Sequence, residues 1–257
     1  MEQGIQQHEN LRYFEAGNDK GEVLLLLHGL FGSMSNFEQL INHFKKDFKV
    51  AVPILPIYEI DPRKTSLEVY VNYVQQFVDL KQYEKVHLLG NSLGGHIGLL
   101  FTLKSPDLVA SLTLTGSSGL FEDSLGGTYP RRGSYEFVEE KARATFYDPN
   151  TVTKEVVDEV YAIVNDRKKV LNLIATAKSA LRYNMEDRLS EIKAPTLLVW
   201  GKQDNITPPF VAEKFKEGIP HAELVFIDKC GHAPMMERPE EFNTALGKFL
   251  QNMLVEA

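Results

Sequence analysis

The sequence predicts an α/β protein with a mostly parallel central sheet, helices on both faces of that sheet, and a helical cap insertion. Three observations predict it. Short apolar stretches alternate with amphipathic stretches along most of the 257 residues, which is typical of a parallel sheet covered by helices. A glycine-rich hinge at residues 90–95 joins an apolar stretch to a helical pattern. Between about residues 120 and 189 the alternation stops and the patterns are helical.

The alternating elements can be placed from the spacing of their apolar residues. Residues 23–27 are an uninterrupted apolar run, which is typical of a strand buried on both faces. Ser66 precedes a helical pattern and suits the position before its first turn. We expect strands at residues 11–15, 22–27, 48–55, 86–89, 109–115, 195–201 and 223–228, and helices at 36–46, from 66 to about 80, from the hinge to 104, and after Pro239.

Residues 118–189 are predicted to form a helical cap, or lid, and residues 1–117 and 190–257 the core. Ligands of α/β sheets bind at the carboxyl ends of the parallel strands, so an insertion there would cover the crevice. Glycines 126, 127 and 133 would let its entry segment move. The helical patterns of this cap occupy residues 134–145, 153–166 and 169–183.

Composition and charge argue against several classes of protein. The net charge is −7 and no long Lys/Arg cluster occurs, so we expect no nucleic acid partner. The early apolar runs are too short to cross a bilayer, and the first ten residues lack the features of a signal peptide. We therefore expect a cytoplasmic protein without membrane contact. The single cysteine, Cys230, cannot form an intramolecular disulfide.

The hinge carries the clearest chemical motif. Gly90, Ser92 and Gly94 form a G-x-S-x-G pattern between a strand and a helix, which is the setting of a nucleophilic serine on a strained turn. The glycines are needed because strand and helix nearly touch there. We predict that Ser92 is the nucleophile and that the backbone N–H of Leu93, at the helix N-terminus, binds a developing oxyanion.

The loop after the strand at residues 22–27 is the candidate for a second oxyanion donor. It begins His28-Gly29-Leu30-Phe31, and parallel topology would place it beside Ser92. The N–H of Leu30 is the predicted donor. We expect His28 to be structural, with its imidazole bonded to neighbouring backbone.

A serine nucleophile needs a base and a group that orients the base. Of the seven histidines, His232, on a glycine-flanked loop after the final strand, is the one that topology places over the crevice, so it is the predicted base. Asp204, in the loop after the preceding strand, is the predicted acid. The order Ser92, Asp204, His232 is the order expected for this architecture.

Alternatives to these residues stay open. Asp228 and Asp123 are rivals for the acid, although Asp228 is too near His232 in sequence to face it easily. Cys230, two residues before His232, could be a thiol nucleophile, but a small buried cysteine is the more common case.

Aromatic side chains in and near the insertion are candidates for the lining of a substrate pocket. We expect this role for Phe31, Phe137, Phe146 and Tyr147. Further candidates are Phe121, Tyr129 and Tyr135. The aromatic residues of the insertion would serve equally well to hold it together.

Four motifs, in this order, resemble those of capped α/β-hydrolase-fold enzymes. They are the His28-Gly29 strand end, the hinge at residues 90–95, residues 201–204 and residues 231–240. The resemblance covers nearly the whole chain and implies the alpha/beta-hydrolase fold. That superfamily includes esterases, thioesterases, lipases, C–C bond hydrolases, and epoxide and haloalkane hydrolases. The last two use an aspartate at the hinge, so the resemblance with a serine there excludes them.

The start of the hinge is similar to that of the meta-cleavage-product C–C hydrolases, but other positions depart from that group. The chain lacks their Gly-Pro-Gly oxyanion loop, and Ala233 stands where a tryptophan commonly follows their catalytic histidine. Residues 53–58 also depart from the usual Pro-Asp-Leu-Pro-Gly segment of the family. These departures make a C–C substrate less expected.

We therefore expect a serine carboxylesterase that cleaves esters of small to medium, largely apolar acyl groups through an acyl-enzyme. A C–C bond hydrolase or a cofactor-free perhydrolase of the same fold is the alternative within this class. A hydrolase-fold ligand receptor with little turnover is the alternative from another class. No metal or organic cofactor is implied, the expected partner is a small-molecule ester, and the oligomeric state is left open.

Overall fold

The computed structural model describes residues 4–32, 34–121 and 133–256, and these contain the mostly parallel sheet that the sequence predicts. The strands are β1 (Ile5–His8), β2 (Leu11–Gly17), β3 (Val23–Leu27), β4 (Lys49–Pro53), β5 (Val86–Asn91), β6 (Val109–Thr115), β7 (Thr196–Gly201) and β8 (Glu223–Ile227). Their order across the sheet is β1-β2-β4-β3-β5-β6-β7-β8. Strand β2 runs antiparallel to β1 and β4, and the other neighbouring strands are parallel.

Helices connect the strands and cover both faces of the sheet. Leu25 and Leu27 of β3 lie in one apolar cluster, and Leu24 and Leu26 lie in a second cluster, because successive strand residues point to opposite faces. The helices are α1 (Glu38–Phe44), α2 (Leu67–Lys81), α3 (Leu93–Lys104), α4 (Tyr135–Arg143), α5 (Lys154–Asn165), α6 (Arg167–Arg182), α7 (Pro209–Gly218), α8 (Pro234–Glu237) and α9 (Pro239–Glu256). Within the described ranges, none of them combines the length and apolarity needed to cross a bilayer.

The segment between β6 and β7 contains helices and, over its described part, no strand. Ser134, Thr153 and Asp166 accept hydrogen bonds from backbone N–H groups in the first turns of α4, α5 and α6, which is how polar side chains begin a helix. The two ends of this helical segment meet, since Met185 N–H donates to Gly119 C=O over 2.8 Å. That residues 118–189 form a separate cap stays a prediction.

Part of the helical segment, its entry at residues 122–132, falls outside the described residues. The rival acid Asp123, the candidate lining residue Tyr129 and the two glycines at 126 and 127 belong to this stretch. The expectations for these four residues therefore stay predictions.

Several elements were not predicted from the sequence. Strand β1 pairs with β2 at the edge of the sheet, but three of its four side chains are exposed, so its sequence lacks the alternation of a half-buried strand. Helix α7 follows Pro208 closely and buries Val211, Ala212 and Phe215. The helix is short and directly follows the polar loop of Asp204, so its helical pattern is difficult to recognise in the sequence.

Candidate active site

Ser92 lies at the turn between β5 and α3, with φ of +55° and ψ of −121°. Residues other than glycine rarely adopt a positive φ, and such strain persists only where the surroundings hold it. Here the backbone is held on both sides. Ser92 N–H donates to Thr115 C=O over 3.1 Å, and Ser92 C=O accepts from Ser118 N–H over 3.2 Å. Strand β6 and the residues just after it thus fix the strained turn.

The two glycines of the hinge allow three chain segments to approach closely. A Cβ on Gly90 would lie 2.4 Å from the carbonyl oxygen of Gly94, and a Cβ on Gly94 would lie 2.0 Å from that of Leu27. Both distances are far below van der Waals contact. A side chain at either position would therefore push α3 away from β5 or β3.

His232 and Asp204 are brought together at the ends of two adjacent parallel strands. The distance from His232 Nδ1 to Asp204 Oδ2 is 2.9 Å, and both side chains are buried. Asp204 follows β7 and His232 follows β8, so the carboxyl ends of these strands carry them to the same edge as Ser92. Because the carboxylate accepts the Nδ1 hydrogen, Nε2 is the basic atom of the imidazole.

Asp204 is itself held by a network that sequence reasoning missed. Its Oδ1 accepts N–H bonds from Ile206 over 2.8 Å and from Thr207 over 2.9 Å. The Thr207 hydroxyl donates to Oδ2 over 2.9 Å. An aspartate that bonds backbone N–H groups two and three residues later is a known turn pattern, so the Asp-x-x-Thr spacing is a signal that would have found Thr207.

Two of the rival residues, Asp228 and Cys230, are described by the structure. Asp228 is exposed, and the hydrogen bond from Gln203 Nε2 over 3.2 Å lowers its pKa. Cys230 is buried, and burial raises the pKa of its thiol, which keeps it in the poorly nucleophilic neutral form. In the described part of the chain, no cluster of His, Cys, Asp and Glu side chains is suited to hold a metal ion.

The loop after β3 packs directly against Ser92. A Cβ on Gly29 would lie 3.1 Å from Ser92 Cβ. The Gly29 carbonyl accepts from His28 Nδ1 over 2.9 Å and from Gly32 N–H over 3.1 Å. Since C=O and N–H point in opposite directions across a trans peptide, the N–H of Leu30 is directed away from these donors.

His28 has the structural role expected for it. Its Nδ1 donates to Gly29 C=O, and its Nε2 accepts from Leu55 N–H over 3.0 Å. Burial lowers the pKa of this imidazole, which favours the neutral form that can donate at one nitrogen and accept at the other.

The candidate pocket residues lie at different points of the structure. Phe31 is exposed, and the ring of Phe137 lies 5.5 Å from Lys141 Nζ. Phe146 packs against the apolar cluster that contains Cys230 and Ala233, beside His232. Tyr147 lines a cleft of about 480 Å³. Their role in substrate binding stays a prediction.

The loop of His232 is joined to the helical segment by hydrogen bonds to backbone groups. His232 N–H donates to Thr145 C=O over 3.0 Å. The carboxylate of Glu237 accepts from Gly231 N–H over 2.8 Å and from Tyr147 N–H over 2.7 Å. A Cβ on Gly231 would lie 2.7 Å from Thr145 O. The loop that carries His232 and residues 145–147 are thus fastened to each other.

Asn91, which sequence reasoning did not single out, makes a further contact to this loop. Its Nδ2 donates to Thr115 C=O over 3.0 Å and to His232 C=O over 3.2 Å. The residue before Ser92 therefore links the ends of β5 and β6 to the loop that carries His232.

Comparison with known proteins agrees with this fold. A family model described as alpha/beta hydrolase fold matches residues 22–145 and 135–239. The chain is 28% identical over 265 residues to a 2-hydroxy-6-oxo-6-phenylhexa-2,4-dienoate hydrolase of Comamonas testosteroni, covering 94% of this chain and 91% of that protein. It is 32% identical over 191 residues to a 2-hydroxy-6-oxononadienedioate/2-hydroxy-6-oxononatrienedioate hydrolase of Cupriavidus pinatubonensis, covering 68% and 65%.

A solved structure covers almost the same length. It is an alpha/beta hydrolase enzyme from the metagenome of sediments from the lagoon of Mar Chica, Morocco, 44% identical to this chain. The match has a TM-score of 0.80 and covers 96% of this chain and 98% of that one. The sheet order, the strained serine turn and these matches agree, and the chain belongs to the alpha/beta hydrolase fold family.

Proposed function

We propose that the protein is a serine hydrolase that cleaves the bond beside a carbonyl carbon of a small molecule. Ser92 is the nucleophile, His232 the general base, and Asp204 the group that orients the base. The observation that carries the proposal is the convergence of three strand ends. A strained serine after β5, a buried carboxylate after β7 and an imidazole bonded to it after β8 occupy one edge of the sheet.

In the proposed mechanism, Ser92 Oγ attacks the carbonyl carbon while its proton passes to His232 Nε2. Asp204 stabilises the imidazolium, and the N–H groups of Leu30 and Leu93 bind the oxyanion, each worth about 3 to 4 kcal/mol of transition-state stabilisation. The leaving group departs with the proton from His232. Water then cleaves the acyl-Ser92 ester, with His232 again as base, and restores the serine.

The relatives favour a carbon–carbon bond as the one that is cleaved, ahead of the carboxyl ester expected from the sequence. Both curated relatives are named as hydrolases of 2-hydroxy-6-oxo dienoates or trienoates. The first substrate class we propose is therefore a ketone conjugated to a 2-hydroxydienoate. The 2-hydroxydienoate first becomes its 2-oxo-3-ene tautomer, in which the 2-hydroxyl has lost its proton and carbon 5 has gained one. When the bond between carbons 5 and 6 then breaks, the leaving group is a dienolate whose charge extends to the 2-oxo oxygen, and the proton from His232 neutralises it.

A carboxyl ester is the second candidate substrate, and specific departures from the C–C hydrolases favour it. Ala233 follows His232 where those enzymes commonly have a tryptophan, and the loop after His28 lacks the Gly-Pro-Gly sequence. In the structure Ala233 is buried in an apolar cluster against which Phe146 packs. An indole in its place would not fit without displacement of that cluster.

The test compares turnover of 2-hydroxy-6-oxo-6-phenylhexa-2,4-dienoate with that of p-nitrophenyl esters from acetate to decanoate. Wild type and Ser92→Ala are measured together, with Ser190→Ala, an exposed serine, as the matched control. Turnover of either class that disappears in Ser92→Ala alone supports the proposal and identifies the bond. Turnover that survives the loss of the Ser92 hydroxyl would overturn it. Labelling of Ser92 by a fluorophosphonate without turnover of any substrate would favour the receptor alternative.

A further inference from the structure

The loop that begins at His28 is held from outside by a second segment, the turn at residues 55–58 that follows β4. Leu55 N–H donates to His28 Nε2 over 3.0 Å. The hydroxyl of Tyr58 donates to Leu30 C=O over 2.5 Å. This turn belongs to the stretch, residues 53–58, in which the sequence departs from the usual family segment. The segment that departs from the family sequence therefore contacts the loop that carries Leu30.

We propose that Tyr58 is a positioning residue for the oxyanion hole. Its hydroxyl holds the Leu30 carbonyl and thereby fixes the direction of the Leu30 N–H. This inference rests on the proposed function, because it assigns Leu30 as an oxyanion donor.

The geometry of Leu30 explains why the hydroxyl matters. The N–H of Leu30 and the carbonyl of Gly29 belong to one peptide plane. Hydrogen bonds from His28 and Gly32 hold that carbonyl. The carbonyl of Leu30 belongs to the next plane, and Tyr58 holds it. Peptide planes are rigid, so only φ and ψ of Leu30 can change its shape. With both planes held, the N–H of Leu30 keeps a single direction, and a donor fixed before the reaction is the kind that stabilises the transition state.

Tyr58 is well placed to act as a steady donor. The side chain packs against the larger apolar cluster of the sheet, and burial raises the pKa of the phenol, so the hydroxyl keeps its hydrogen. Lys169 of α6 lies with its Nζ 5.8 Å from the centre of the ring, a cation–π contact. Lys168 Nζ also donates to Glu59 C=O over 3.2 Å. The turn is thus held between α6 and the oxyanion loop.

The experiment removes one oxygen atom. Tyr58→Phe deletes the hydroxyl and leaves the ring, and Tyr161→Phe is the matched control, because Tyr161 also donates its hydroxyl to a backbone carbonyl, that of Gly133, over 3.2 Å. The rate of Ser92 labelling by a fluorophosphonate is measured for both variants and wild type. Values of kcat and KM for p-nitrophenyl butyrate, and thermal unfolding, are measured on the same preparations.

We expect Tyr58→Phe to lower the labelling rate and kcat about tenfold, because a less firmly held Leu30 N–H stabilises the oxyanion less well, with KM within about twofold of wild type. Tyr161→Phe is expected to match wild type. A Tyr58→Phe protein that is labelled at the wild-type rate would overturn the inference, and so would an equal loss in both variants. Wild type that is not labelled at Ser92 would overturn the proposed function itself, which separates the two failures.

Discussion

The Nδ1 atom of His232 lies 2.9 Å from Oδ2 of Asp204, and both side chains are buried. The carboxylate is satisfied on its other side by the N–H groups of Ile206 and Thr207. An imidazole held in this way presents Nε2 as an acceptor, which is the tautomer that a general base needs.

Replacement of Asp204 by asparagine tests this relationship. The amide can donate towards Nδ1 and so favours the wrong tautomer, and we expect kcat to fall by roughly 10³ to 10⁴ with little change in the fold. Steady-state kinetics on the best wild-type substrate measures it. Asp228→Asn changes an exposed carboxylate and serves as the control. A less than tenfold loss in Asp204→Asn would show that another group orients His232.

Thr207→Val removes one hydroxyl from the network around Asp204 and keeps the shape of the side chain. A hydrogen bond to a charged group contributes about 1.5 to 3 kcal/mol, and part of this loss should appear as a fall in kcat of about threefold to thirtyfold. The pH dependence of kcat is measured together with the rate. The exposed Thr244, whose hydroxyl bonds to Glu240 C=O, gives the control Thr244→Val. Identical profiles for the two variants would remove Thr207 from the site.

Gly116→Ala tests the space beside the imidazole. Gly116 has φ of +51°, and a Cβ there would lie 2.8 Å from His232 Nδ1. We expect the alanine to displace the ring, lower kcat by at least about 100-fold, and reduce the free energy of unfolding by about 1 to 3 kcal/mol. Kinetics and urea unfolding measure the two effects. Gly133→Ala is the control because no atom of the described residues lies within 4 Å of its Cβ position, and it should leave both quantities unchanged.

The parallel strands, the hinge and the order of Ser92, Asp204 and His232 could be predicted because each has a local signal. Apolar runs mark buried strands, and glycine spacing marks a tight turn. Tyr58 and Glu237 carry no such signal, since they act on backbone groups many residues away in sequence. Strand β1 was missed because backbone pairing, not an apolar face, holds it to the sheet. Substrate preference depends on side chains over the crevice, which no spacing rule reports.

Stability should fall in mild acid because of His96. Burial lowers its pKa from 6.5 to about 4, so the native state favours the neutral ring, which donates from Nε2 to Tyr183 C=O over 2.8 Å. The contribution is fully present above pH 6.5 and is lost as the pH falls towards 4. It amounts to about 3 kcal/mol, because each tenfold difference in proton affinity between the folded and unfolded states corresponds to roughly 1.4 kcal/mol. Urea unfolding at a series of pH values between 7 and 4 measures it.

His96→Gln is the matched variant for this measurement, because the amide can still donate a hydrogen bond but does not titrate. We expect its free energy of unfolding to decline less steeply over the same pH range. Equal slopes for wild type and His96→Gln would assign the acid sensitivity to other groups.

The hydrogen bonds around the loop of His232 limit how this protein can be rebuilt. His232 N–H donates to Thr145 C=O, and Glu237 accepts from the N–H groups of Gly231 and Tyr147. A chimera that took its helical segment from another member of the family would replace one partner of the His232–Thr145 bond and one partner of the Glu237–Tyr147 bond. The donor segment would have to supply a carbonyl and an N–H at the same places, or the loop of His232 would lose these hydrogen bonds. The helical segment and the loop of His232 are therefore coupled in this chain, and their sequences are expected to change together in evolution.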